Sequence, residues 1–182
     1  MRNILVLVGS LRAESINKRY ARALEKLATG QFTFSYADME LPLYNDDLWR
    51  DPPGQVTAFK AAVKVADGIL IVTPEYNRSL PAVTKNAVDW ASRPYGQNAW
   101  SGKCVAITGA SPGAIGTAVA QSQLRSSLVI CGAVVMGEPE VYISFKPEML
   151  DAEGGFASEG TAKFLKGFLD SFDGWIARHG GG

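Results

Sequence analysis

Short apolar runs alternate with amphipathic stretches along the whole chain. The apolar runs predict buried strands at 3–8, 32–36, 68–73, 103–108 and 133–136. Apolar residues at helical spacing predict helices at 15–28, 55–66, 81–92, from the segment GASPGAIG to about 130, and at 161–177. Segment 137–157 is predicted to be mostly irregular, and the final three glycines to form a frayed tail.

This order of elements predicts an α/β fold. Strands that are apolar throughout are typical of a parallel sheet that helices cover on both faces. Five strands in this alternation predict a doubly wound, flavodoxin-like sheet with strand order 2-1-3-4-5, or a short Rossmann variant. Because no linker or repeat interrupts the pattern, we expect a single domain over 1–182. Ligands of such sheets bind at the carboxyl ends of the strands, where loops 9–17, 74–79 and 109–116 should meet.

Charge and composition exclude several classes of function. Lys and Arg together number 18, as do Asp and Glu, so the formal net charge is zero, which argues against a nucleic-acid or electrostatic membrane partner. No apolar run is long enough to span a membrane, and the two distant cysteines indicate a reduced, cytoplasmic protein. The single histidine, His179, lies near the end of the chain, so we expect neither a His-dependent catalytic triad nor a metal site.

The first loop, GSLRAESIN, has the chemistry of a phosphate site. Ser10, Ser15 and Asn17 are neutral donors, Arg12 is a cation, and the amides of the following helix N-terminus add partial positive charge. The P-loop lysine and the G-x-G-x-x-G pattern are both missing, which argues against phosphoryl transfer and against a bound pyrophosphate. The loop therefore predicts a terminal monophosphate. The alternative is that Ser15 only caps the helix while Arg12 is solvated.

The second loop, TPEYNRSLP, is fixed in shape by the proline near each end. Its main-chain amides and Asn77 could bond the heteroatom edge of a flat heterocycle, and Tyr76 could pack beside the ring. The alternative is a structural turn in which Tyr76 fills the core.

The third loop, GASPGAIG, carries Ser111 and Gly113, where the backbone could approach a ring closely. Taken alone, it is better explained as a plain turn between strand and helix.

The segments GSLRAESIN, PEYNRSLPAVTKNAVDWASR and GASPGAIGTAVAQSQLR, in this order over about 3–142, resemble the NADPH-dependent FMN reductase family. That family includes bacterial chromate and quinone reductases and some azoreductases. The resemblance implies a flavodoxin-like fold, FMN as cofactor and NADPH or NADH as electron donor. The cofactor-binding residues that it implies are Ser10, Arg12, Ser15, Ile16 and Asn17 at the phosphate, Pro74, Glu75, Tyr76 and Asn77 along the isoalloxazine, and Ser111 and Gly113 on the other side of the ring system. Thr84 and Val88 depart from the Leu and Ile more usual in the family, at positions that look like helix packing.

The implied reaction is hydride transfer from NAD(P)H through flavin N5 to quinones, flavins, azo compounds or oxidised metal ions such as chromate. Because the flavin carries this chemistry, we assign no catalytic side chain. Arg78 and Arg93 are candidate substrate-binding cations, although Arg93 could equally offset the dipole of the helix that it follows.

Two other functions fit part of the sequence pattern. An electron-transfer flavodoxin is the alternative, but the neutral charge and Arg12 favour an enzyme. A non-flavin phosphate-binding domain would leave PEYN without a role. The resemblance also implies a homodimer or homotetramer, in which the loop Tyr44–Trp49 could reach a neighbouring subunit.

Overall fold

A parallel sheet lies between two layers of helices in the computed structural model, which describes residues 1–180. Gly181 and Gly182, two of the three glycines predicted to form a tail, lie outside the described residues. The strands are β1 (Arg2–Val8), β2 (Phe32–Tyr36), β3 (Gly68–Val72), β4 (Cys104–Ser111), β5 (Val134–Val135) and β6 (Val141–Ser144). The helices are α1 (Ile16–Leu27), α2 (Gly54–Val65), α3 (Ala82–Ser92), α4 (Ala118–Ile130) and α5 (Glu159–His179).

The strand order is β2-β1-β3-β4-β5, with every pairing parallel, which confirms the predicted flavodoxin-like sheet. The fifth position is divided between two short strands. β5 pairs with the start of β4, and β6 pairs with its end, from Thr108 to Ser111. The prediction that 137–157 is mostly irregular was therefore wrong at β6. The residues GEPE interrupt the apolar run before β6, which is itself too short to give a clear strand pattern.

Both faces of the sheet are buried. Ile4 and Val6 of β1 face α1 and α5, whereas Leu5 and Leu7 face α2 and α3. Burying one such side chain contributes about 1.5–3 kcal/mol, so the central strands anchor the fold on both sides. This burial explains why the strands are apolar throughout rather than alternating.

Caps and neighbouring residues set several boundaries near the carboxyl edge. Ser15 caps α1 by accepting a hydrogen bond from the Lys18 amide, at 3.3 Å. Pro81 is the N-cap of α3 and lies just before its first turn. β4 runs to Ser111, beyond the predicted end at 108, because β6 pairs with this extension. The third loop is therefore shorter than expected.

Candidate functional site

The three loops meet in one cleft of about 200 Å³ at the carboxyl edge of the sheet. The cleft contains most of the residues predicted to bind the cofactor, but Asn77 and Gly113 do not line it. Its lining residues are Ser10, Arg12, Ser15, Ile16, Asn17, Pro74, Glu75, Tyr76, Ala110, Ser111 and Pro112.

One end of the cleft has the donors that a phosphate needs. Ser10 and Ser15 are buried, and Arg12 is exposed at the rim. The Ser15 hydroxyl oxygen accepts the helix-capping bond, so its hydrogen is available for a ligand. The amides of Ile16 and Asn17 belong to the first turn of α1 and have no partner within that helix. This end of the cleft fits a terminal phosphate.

Asn17 holds the cleft together rather than offering its side chain to a ligand. Its amide nitrogen donates to the Ala110 carbonyl at 2.8 Å, and its amide oxygen accepts from the Ala110 N–H at 2.9 Å. This buried reciprocal pair joins the first loop to β4 across 93 residues of sequence. Both polar atoms of the Asn17 carboxamide bind Ala110, so the predicted phosphate contact of Asn17 remains a prediction that its backbone N–H could make.

The first loop also packs directly against the start of the second. A Cβ added to Gly9 would lie 2.4 Å from Thr84 Oγ1 and 3.1 Å from Pro74 Cδ. Only glycine therefore permits this approach of β1 to α3. Thr84, one of the noted departures from the family pattern, is fully buried in this contact.

A tight two-residue turn carries the tip of the second loop. Tyr76 and Ser79 exchange two backbone hydrogen bonds, at 3.1 and 3.0 Å, around Asn77 and Arg78. The φ angles of Asn77 and Arg78 are 51° and 60°, the left-handed pair typical of a type I′ turn. Tyr76 is 52% exposed at the mouth of the cleft, so it does not fill the core. The turn leaves an aromatic ring and Asn77 at the rim.

The Glu75 carboxylate caps a neighbouring helix. Its Oε2 accepts hydrogen bonds from the amides of Val119 and Ala120, at 3.0 and 3.1 Å, in the first turn of α4. Thr117, the N-cap of α4, makes no side-chain capping bond, so Glu75 takes over this role. Its Oε1 accepts from the Arg78 guanidinium at 2.7 Å. The Glu75 carboxylate is therefore occupied by contacts within the chain, which leaves mainly the Glu75 backbone for the predicted ring contact.

These bonds also set the ionisation of Glu75. Burial acts to raise the pKa of the carboxyl group. The hydrogen bonds from Ala120, Arg78 and Val119 outweigh burial and hold the pKa below its usual value. The carboxylate is thus charged at neutral pH.

Gln123, which no sequence pattern singles out, fixes the other side of the turn. Its Oε1 accepts from the Ser79 hydroxyl at 2.7 Å, and its Nε2 donates to the Arg78 carbonyl at 3.3 Å. Gln123 lies on α4, so both Glu75 and Gln123 attach the second loop to the same helix. No local sequence motif predicts contacts between residues more than 40 positions apart.

The remaining predicted residues are placed differently. Gly113 lies outside the cleft, and its N–H donates to Ser111 Oγ at 3.1 Å. Arg93 follows the C-terminus of α3, whereas the second loop lies before the N-terminus of that helix. The helix has 11 residues and is about 16 Å long, which separates Arg93 from the loop. The structure therefore does not bring Arg93 to the cleft. Tyr44 and Trp49 pack edge-on against Trp90 of the same chain, at ring-centroid distances of 4.9 and 5.3 Å.

Comparison with known proteins gives this geometry a family. The sequence profile described as NADPH-dependent FMN reductase matches residues 2–148. The chain belongs to the NADPH-dependent FMN reductase family. This membership confirms the predicted family and fold, and with them the expectation of an NAD(P)H-dependent enzyme that uses FMN.

Individual relatives agree with the family and cover nearly the whole chain. The chain is 51% identical over 174 residues to a 2-hydroxy-1,4-benzoquinone reductase of Burkholderia sp, covering 95% of each protein. It is 43% identical over 176 residues to a quinone reductase of Pseudomonas putida, covering 96% of this chain and 94% of the relative. It superposes on the solved structure of FerB, a flavoenzyme NAD(P)H:(acceptor) oxidoreductase of Paracoccus denitrificans, with a TM-score of 0.96 and 48% identity. That match covers 98% of this chain and 99% of FerB.

Proposed function

We propose that this FMN reductase family member is a quinone reductase, which transfers two electrons from NAD(P)H to a quinone through flavin N5. The observation that carries the proposal is the single cleft, in which the phosphate-type loop meets the two ring-type loops. Relatives that cover nearly the whole chain and bear the name quinone reductase support the choice of acceptor. Free flavins, azo compounds and chromate are secondary acceptors in this proposal.

FMN, when bound, would supply the redox chemistry, which is a two-electron transfer from NAD(P)H to the acceptor with protons completing the hydroquinone. The chain's own residues bind and orient the cofactor. The hydroxyls of Ser10 and Ser15, the Arg12 guanidinium and the first-turn amides of α1 would hold the phosphate. The Tyr76–Ser79 turn, fixed on α4, would present its backbone and the Tyr76 ring to the flavin.

Reduction without oxygen tests the function directly. The purified protein should bind FMN, lose its flavin absorbance when mixed with NADPH or NADH under nitrogen, and recover it on addition of 1,4-benzoquinone or its 2-hydroxy derivative. A kinetic panel of quinones, flavins, azo dyes and chromate at a fixed NAD(P)H concentration then ranks the acceptors. A flavin that NAD(P)H leaves oxidised would instead favour the electron-transfer alternative.

Arg12 tests the phosphate end of the cleft. A hydrogen bond to a charged group contributes about 1.5–3 kcal/mol, so Arg12→Ala should weaken FMN binding by roughly tenfold to 150-fold. Riboflavin, which lacks the phosphate, should bind the variant and the wild type equally well. Arg50→Ala, which removes an exposed arginine outside the cleft, is the matched control. Equal losses for FMN and riboflavin would show that Arg12 does not contact the phosphate.

Assembly and location are further parts of the proposal. We propose a homodimer or homotetramer in the cytoplasm, and light scattering of the FMN-loaded protein tests the mass. Within residues 1–180, no helix is both long and apolar enough to cross a membrane.

A further inference from the structure

Lys60, on α2, is a buried cation. It is 7% exposed and makes no ion pair within residues 1–180. Its ammonium donates to the Arg93 carbonyl and lies 4.8 Å from the centre of the Trp49 ring. A buried ammonium is costly unless nearby groups offset its charge, and a carbonyl with a ring face offsets it only in part.

A pocket of about 380 Å³ opens beside this ammonium. Within residues 1–180, no acidic side chain lines it, and its polar side chains can all donate hydrogen bonds. Its lining residues include Trp49, Pro52, Thr57, Lys60, Lys64 and Pro94. The volume lies within the range of small-molecule sites, which combine apolar walls with a few polar groups.

Within residues 1–180 neither lysine has an acidic partner, and the other walls of the pocket offer apolar surface. Burial lowers the pKa of Lys60, and the neighbouring Lys64 ammonium lowers it further. A bound anion would offset both positive charges. Trp49 supplies a flat aromatic face, with Pro52 and Pro94 as further apolar walls.

We propose that this pocket binds a small organic anion with a flat apolar body, whose charged group pairs with Lys60 and Lys64. The site is distinct from the FMN cleft and shares no lining residue with it. The Arg93 carbonyl, which accepts the hydrogen bond from Lys60, lies just after the C-terminus of α3. The second loop, which lines the FMN cleft, lies before the N-terminus of the same helix. The proposal therefore does not depend on the proposed reductase function.

Calorimetric titration of the FMN-loaded protein tests this site with three probes. Benzoate carries both the charge and the flat body, inorganic phosphate carries only charge, and benzamide carries the body without the charge. Benzoate should bind once per chain, at least tenfold more tightly than either of the other probes. Equal or tighter binding of phosphate or benzamide would overturn the assigned ligand class.

Substitutions locate the binding. Lys60→Met keeps the apolar stem and should weaken benzoate binding at least tenfold, and Lys64→Met should weaken it less because Lys64 is exposed. Lys166→Met, which removes a surface lysine paired with Asp170, should leave it unchanged. FMN affinity and the flavin spectrum report intact folding, and neither should change in the lysine variants. Benzoate binding that survives Lys60→Met, or that shifts the flavin spectrum in that variant, would overturn the proposal.

Discussion

Glu75→Gln should destabilise the protein by about 2–3 kcal/mol at neutral pH. The carboxylate now accepts two amide hydrogen bonds at the N-terminus of α4 and one from Arg78. A bond to a charged group contributes about 1.5–3 kcal/mol and a neutral one about 0.5–1.5, so losing the charge costs about 1 kcal/mol for each amide. The Arg78 side chain is 68% exposed, so its ion pair adds only about 0–1 kcal/mol.

Urea unfolding of the FMN-free protein measures this difference, and the midpoint of thermal unfolding should fall by about 4–12 °C. The matched control is Glu159→Gln, which removes an exposed carboxylate in the first turn of α5. Because Glu159→Gln removes only a general helix-dipole interaction, it should lower the free energy of unfolding by less than about 1 kcal/mol.

The pH dependence gives a second, independent check. The pKa of Glu75 is lowered in the folded state, so its stabilisation is complete above the unfolded pKa of about 4.3. That stabilisation is lost as the pH falls through the lower, folded pKa. The difference between the wild type and Glu75→Gln should therefore be constant from pH 8 to about pH 5 and shrink below that. A loss under about 0.5 kcal/mol at pH 7, or a difference that persists in acid, would refute the capping role of Glu75.

Three further substitutions test the framework of the cleft by urea unfolding and FMN titration. Asn17→Ala leaves the Ala110 N–H and carbonyl without their buried partners and should cost about 2–4 kcal/mol; a loss below 1 kcal/mol would contradict the structural role of the pair. Tyr20→Phe removes the 3.0 Å hydrogen bond to the Thr108 hydroxyl and should cost about 1 kcal/mol with FMN affinity unchanged; weaker FMN binding would mean that Tyr20 acts on the site. Asn77→Val should cost about 1–2 kcal/mol because a β-branched residue resists a φ of 51°, whereas Asn77→Gly should be nearly neutral; equal effects would argue against the left-handed turn.

The sheet was predictable because its signal is local. Each long central strand is an apolar run, and parallel strands bring their carboxyl ends to one edge, so the meeting of the three loops followed from the order of elements. β6 was not predictable, because a strand of only four residues is too short to show a clear hydrophobic pattern. Its place depends on pairing with β4, which is a long-range contact.

The residues lining the cleft were predictable in kind, but their individual contacts were not. Asn17 and Glu75 both line the cleft, yet their side chains bind backbone amides 93 and 44–45 residues away. A sequence pattern shows which groups can form hydrogen bonds and does not show which partner will compete for them. Lys60 was missed for a related reason: on α2 it resembles a surface lysine, and its burial comes from Trp49 and the segment after α3.

The hydrogen bonds that connect the three loops make the shape of the cleft independent of cofactor binding. The Asn17–Ala110 pair and the Glu75 cap are formed entirely within the chain, so neither requires a bound FMN molecule. FMN then adds to stability only by mass action, in proportion to the logarithm of its free concentration over its dissociation constant. Because these bonds fix the loops without the cofactor, FMN binding should cost little ordering entropy.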